Sequence, residues 1–157
     1  MAFSYQQSVG QYNKEAIPGD RANNQDVIYT PENLVTAAGS TGVAVQVGGF
    51  AWKNADNQLE GAGSGAPTGF VERVQNYQYY DMTEDGTLIV PKGAAVELAV
   101  KGDFLVQADA TTSAGATVYA NTSNGTATLT SGAGVVDTGF KTWNATTSGG
   151  MAIITKR

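Results

Sequence analysis

The sequence predicts an all-β domain, a β-sandwich of jelly-roll type or a small β-barrel, preceded by an extended N-terminal arm. Three observations carry this. From Val43 onward, short apolar runs alternate with turn signals every eight to fifteen residues, which is the pattern of many short strands. No segment sustains a helical period. Charged residues make up only 15% of the chain, below the usual quarter or so, and glycine, alanine, threonine and asparagine take up that difference. The expected division is an arm over residues 1–40 and a β-domain over 41–157.

The arm contains Pro18 and Pro31 and shows no sustained period. It reads either as a solvated tail or as a segment that orders on a neighbour. Phe3, Tyr5, Val9, Tyr12, Ile17 and Pro18 make it more apolar than a solvating tail requires. The run Pro31-Glu-Asn-Leu-Val, with Thr30 as N-cap, is the one place where a helical turn or two is expected.

In VAVQV, the residues Val43, Val45 and Val47 share one face of a strand. GFAWK follows, then the turn Asn54-Ala-Asp-Asn. The glycine-rich stretch from Gly61 to Gly69 leads into GFVERV. Glu84-Asp-Gly makes a turn before TLIVP. In AAVELAV, the residues Val96, Leu98 and Val100 point one way and Ala95, Glu97 and Ala99 the other. Lys101-Gly102 is either a tight hairpin or a glycine kink before DFLVQA. ATVYA, TATLT, VVDTGFKTW and MAIITK complete about nine strands, divided by Thr112-Ser-Ala-Gly, Ser123-Asn-Gly and Thr147-Ser-Gly-Gly.

Composition excludes much chemistry. The chain has no histidine and no cysteine. The common general base, the Ser-His-Asp and Cys-His arrangements and nearly every zinc, iron or copper site therefore fall away, and no disulfide can form. At 157 residues a single domain buries about 70% of its surface without such staples. Net charge is −5, and the nine basic residues are scattered, so no nucleic-acid partner is expected. No stretch approaches the length of about 20 apolar residues that spans a bilayer, and no membrane partner is expected. The first residues carry neither a basic start nor an apolar signal core, which suggests a cytosolic site of synthesis. Asn121, Asn124 and Asn144 match the glycosylation pattern as chance matches in an Asn- and Thr-rich chain.

The glycine-rich stretch does not suit phosphate. A Walker loop needs Lys and Ser or Thr after its last glycine, and Gly69 is followed by Phe70-Val71-Glu72. Gly63, Gly65 and Gly69 have the wrong spacing for a dinucleotide fingerprint. Asp81 to Gly86 resembles the opening of a calcium loop, but Lys92 stands where a bidentate Glu is required. Glu72, Glu84 and Glu97 could serve a carboxylate-based hydrolase only if a pocket gathered them, and they read as solvated strand and turn acids. No cofactor is expected. What remains is contact chemistry. Arg73 with Tyr77, Tyr79 and Tyr80 forms the residue set that dominates protein interfaces, although each tyrosine also fits a core position with its hydroxyl at the edge.

Four stretches carry a family resemblance, in order along nearly the whole chain. They are AIPGDRANN (Ala16 to Asn24), VGGFAWKNADNQ (Val47 to Gln58), GSGAPTGFVER (Gly63 to Arg73) and the closing VVDTGFKTWNATTSGGMAIITK. Together they resemble the structural cement, or head decoration, proteins of tailed bacteriophages. The resemblance implies a non-catalytic β-sandwich or jelly roll on the outer surface of the capsid, assembled in the host cytoplasm. It implies two partners, the major capsid protein and sister copies in a homodimer or homotrimer. Contact residues expected on this basis are Phe3, Tyr5, Tyr12, Ile17, Pro18, Asp20 and Arg21 on the arm. Phe70, Arg73, Tyr77, Tyr79 and Tyr80 complete the set. The alternative is a carbohydrate-binding β-sandwich in which Trp52, Trp143 and the tyrosines stack on sugar.

Overall fold

The computed structural model describes residues 17–37, 42–74 and 81–157. Among these, the chain forms strands and no helix. The strands are β1 (Ile28–Tyr29), β2 (Leu34–Thr36), β3 (Phe50–Lys53), β4 (Gln58–Glu60), β5 (Gly69–Phe70), β6 (Asp81–Met82) and β7 (Leu88–Ile89). There follow β8 (Ala95–Val96), β9 (Ala99–Gln107), β10 (Thr117–Asn121), β11 (Ala127–Thr128), β12 (Val135–Thr142) and β13 (Met151–Lys156).

One large sheet runs in the order β11-β10-β12-β13-β9-β5-β3-β4-β2-β8, with β1 also paired to β9. A small hairpin, β6-β7, stands apart from it and touches it through a bridge between Gln46 and Ile89. The sheet is not closed into a barrel. Most pairs are antiparallel, and β2-β4 is parallel. The architecture is an all-β sandwich.

Strand β9 is its spine. One edge pairs with β13 from Gly102 to Gln107; near its start, Ala99 is flanked by Tyr29 of β1 on one side and Phe70 of β5 on the other. Gly102 lies inside this strand with φ +139, a conformation that suits glycine. Of the two readings of Lys101-Gly102, the kink is observed and the hairpin is not. Just before it, the pairing of β9 with β1 shifts register, with Ile28 opposite Lys101 and Tyr29 opposite Ala99.

Two cores fill the interior. In the first, the rings of Phe50, Phe70, Phe104 and Phe140 meet, with Val106, Val118 and Ile154 around them. Phe70 stacks on Phe104 at 4.7 Å between ring centres and meets Phe50 edge-on at 5.3 Å. These are favourable aromatic geometries. The second core gathers Leu34, Val45, Val47, Leu59, Val71, Val96 and Leu98.

Three local expectations change. Residues 31–35 do not make a helical turn, because Leu34 is buried in β2 opposite Val96. An isolated turn of helix pays a nucleation cost for a single bond, and strand pairing with β4 and β8 outweighs it. Thr30 instead accepts the Leu98 N–H on its hydroxyl at 3.2 Å. AAVELAV is not one strand: β8 ends at Val96, where the chain leaves β2, and β9 begins at Ala99 on new partners. Ala99 is therefore buried while Glu97 stays exposed. In VAVQV, Val45 and Val47 are buried but Val43 is 39% exposed, outside any strand.

Candidate functional site

The residues that follow Pro18 are laid along the free edge of β9 as a strap. Gly19 N donates to Leu105 O at 2.8 Å, Leu105 N to Asp20 O at 2.8 Å, and Ala22 N to Asp103 O at 3.0 Å. Strand β1 continues the line toward the start of β9. Gly19 makes the close approach that begins it. Its φ is +97, and an added Cβ would sit 2.8 Å from the Val47 side chain and 3.0 Å from Gly48 N. Its carbonyl accepts the Arg73 N–H at 2.9 Å, which ties the strap to the chain leaving β5.

Side chains reinforce this tie. Asp20 Oδ1 meets Arg73 Nε at 2.6 Å, and Asp20 Oδ2 accepts the Ile17 N–H at 3.1 Å. Beside them, Glu72 is 5% exposed and receives Arg21 Nε at 2.5 Å and the Tyr29 hydroxyl at 2.5 Å. Arg21 also donates to the Tyr29 hydroxyl. Burial, together with donation to the Glu72 carboxylate and the charge there, pushes the Tyr29 phenol up to about 12. The bond to Glu72 raises Arg21 above its ordinary value. Farther along, buried Asp103 accepts Asn23 Nδ2 at 2.7 Å and Arg157 Nη2 at 2.9 Å, which closes the C-terminus over the strap.

The outward face of the neighbouring strands is apolar in one line. Register places Ile153 of β13 opposite Leu105 of β9, and Thr142 of β12 opposite Ile154. Thr142, Ile154 and Phe104 point inward and are buried. Trp143 continues the alternation outward beyond β12, and its N–H donates to Ile153 O at 2.7 Å. Trp143, Ile153 and Leu105 therefore form a row that ends at Asp20 and its partner Arg73. Trp143 is 64% exposed.

The expected contact residues fall into three groups. Ile17, Pro18, Asp20, Arg21 and Arg73 are brought together at the head of the strap. Ile17 and Pro18 also line a groove of about 510 Å³ shared with Leu88, Gln107 and Asp109. Phe70 is fully buried among the core rings, so it supports this surface from beneath and presents no face of its own. Phe3, Tyr5, Tyr12, Tyr77, Tyr79 and Tyr80 lie outside the described residues. Sequence reasoning did not pair Glu72 with Arg21 and Tyr29, which are 51 and 43 residues away and leave no local signal.

Other chemistries find little support. Trp52 is 5% exposed and its indole donates to Gly65 O at 3.0 Å, which removes it from any sugar-stacking platform. Glu72 is held in ion pairing, while Glu84 and Glu97 are exposed on separate elements. Among the described residues, no group of three His, Cys, Asp or Glu side chains is arranged to hold a metal ion. The acidic turn at the tip of β6-β7 is bonded within itself. The Thr83 hydroxyl, then the Thr87 N–H, hold the Asp85 carboxyl below its usual range.

The chain is an all-β sandwich whose N-terminal strap is pinned along β9. Comparison with known families specifies it further: residues 5–156 match the structural cement protein family (E217 gp24/Pam3 gp6), and the chain belongs to that family. Membership carries a structural role in the phage capsid. Among solved structures, a chain from "The capsid of Myoviridae Phage XM1" shares the fold with a TM-score of 0.63. The match covers 98% of this chain and 97% of that one, at 17% identity. A search of curated proteins returned no match. No helix among the described residues is long and apolar enough to cross a membrane.

Proposed function

We propose that this protein binds the outer surface of an assembled phage head and bridges neighbouring major capsid protein subunits, as a homodimer or homotrimer assembled onto heads in the host cytoplasm. In this role it resists the pressure of packaged DNA without catalysis or cofactor. The observation that carries the reading is family membership over residues 5–156. The strap supports it, because Gly19, Asp20 and Ala22 are fastened to the sheet by backbone bonds and a partly buried ion pair.

The mechanism is linkage. A protein that binds the assembled shell and not separated subunits shifts the equilibrium toward the shell by mass action. Bridging oligomers make their second contact at high effective concentration, so modest contact per copy suffices. An arm that adds as a strand supplies affinity through backbone hydrogen bonds and needs few charges, in keeping with a composition of 15% charged residues.

The test is reconstitution. Added to undecorated, expanded shells, the protein should co-sediment with them and raise their disruption temperature, and separated capsid subunits should not bind it. Deleting residues 2–16 should abolish decoration while the β-fold remains. A cut through residue 20 would also remove Gly19 and Asp20 from β9, so the shorter deletion is the cleaner one. Normal decoration by the truncated chain would refute the arm's role. A protein that ignores shells and binds a glycan array would replace this reading with the carbohydrate one.

A further inference from the structure

We propose that the row Trp143-Ile153-Leu105 is the docking ridge through which the body of this protein grips the capsid shell, with Trp143 as its anchor. The proposal rests on the capsid-binding reading above and names the surface that performs it.

Three features of the row point to docking by side chains. Both edges of β9 are occupied here, one by β13 and the other by the strap at Gly19 to Ala22, so strand addition is closed at this point. The row lies across β12, β13 and β9 at strand spacing, and it runs about 14 Å from Trp143 to Asp20. Trp143 is 64% exposed and its indole N–H donates to no other described residue. An aromatic of this size held outward on a rigid sheet suits an interface hot spot, since tryptophan leads such positions.

Charge describes the patch that would receive it. At one end Asp20 and Arg73 neutralise each other. At the other, Lys141 is drawn to the Thr117 hydroxyl at 2.6 Å. The row therefore asks for an apolar hollow on the partner, with an acceptor at the rim facing the Lys141 ammonium, whose charge the Thr117 hydroxyl leaves in place.

Area separates the candidate partners. A Trp-centred row with two half-buried aliphatic neighbours offers on the order of 300 Å². A stable interface between free partners buries about 800 Å² on each side. The row is too small to hold two free copies of this chain together. It suits a shell, whose broad protein surface can meet the row together with Ile17 at its far end, where the Ile17 N–H donates to Asp20 Oδ2 at 3.1 Å. The partner inferred is thus the protein surface of the assembled shell.

The experiment compares the native protein, Trp143→Ala, Trp143→Phe and Met82→Ala for occupancy of undecorated expanded shells as a function of concentration. Met82 is 71% exposed on the β6-β7 hairpin, a sheet separate from the one that carries the row, and serves as the control. Trp143→Ala should raise the apparent Kd at least tenfold with an unchanged Tm. Trp143→Phe should fall between it and the native protein, and Met82→Ala should stay within twofold. Native-like shell binding by Trp143→Ala would overturn the ridge and leave the capsid-binding reading intact. Loss of self-association in the free protein, with shell binding retained, would also overturn it. Failure of the native protein itself to bind shells would remove the capsid-binding reading and this one with it.

Discussion

Asp20 and Arg73, 53 residues apart in sequence, meet at 2.6 Å between Asp20 Oδ1 and Arg73 Nε, and the Gly19 carbonyl beside them accepts the Arg73 N–H. A side-chain and a main-chain contact thus join the same two segments. They fasten the root of the N-terminal arm to the chain leaving β5. The pair is only partly open to water, with side-chain exposures of 22% and 19%.

Asp20→Asn should destabilise the fold by about 1–2 kcal/mol, because a charge-assisted bond is replaced by a weaker neutral one. Thermal unfolding would show it as a Tm lower by about 2–4 °C per kcal/mol for a chain of this length. An unchanged Tm would mean that backbone pairing alone holds the strap.

Glu72 should matter more. Glu72→Gln leaves Arg21 and Tyr29 facing an amide in a nearly buried place, at a cost of about 2–3 kcal/mol. Tyr29→Phe removes one donor and should cost about 1 kcal/mol. The two substitutions share a partner, so a double-mutant cycle should return a coupling of about 0.5–2 kcal/mol. Strict additivity would show that Tyr29 and Glu72 act independently.

Alkaline stability follows from Tyr29. Its phenol titrates at about 12 in the fold and near 10 in an unfolded chain. The fold favours the protonated form, so this contribution is whole below about pH 10 and disappears as pH climbs toward about 12. Urea midpoints measured from pH 9 to 12 should fall more steeply for the native protein than for Tyr29→Phe. Parallel profiles would show that the fold does not raise the Tyr29 phenol.

Phe70→Ala should cost about 3–5 kcal/mol, the usual range for emptying a buried ring site. Chemical denaturation would measure it. A loss below about 1 kcal/mol would mean that Phe50, Phe104 and Phe140 close over the gap, which well-packed cores rarely do fully.

Much of the fold was legible because its signals are local. Turn residues such as Asn54 to Asn57 and the alternation in ATVYA and MAIITK need only a few neighbours to be read, and they mark β3-β4, β10 and β13. Leu34 was not legible in the same way. Pro31 and Thr30 imitate a helix start, and only β4 and β8, brought in from elsewhere, turn the segment into a strand. Phe70 shows a second limit. The residues around it name a strand but not which side faces the core, and that choice belongs to the sheet. Of the site, Arg73 entered the sequence reading as interface chemistry beside tyrosines, and Asp20 and Arg21 entered it through the family resemblance. Their partner Glu72 and the alignment of Trp143 with Leu105 depend on register, which no local pattern records.

The strap's geometry gives the arm a direction of strength. Its hydrogen bonds to β9 stand perpendicular to the strands. Tension on the arm along the strand axis is therefore shared by all of them at once, as shear, together with the Asp20–Arg73 pair. Tension at right angles to the sheet meets them one at a time, starting at Gly19, and the strap peels. An arm drawn tangentially over a swelling surface pulls this joint the strong way. Lifting the protein off that surface opens it from the weak end.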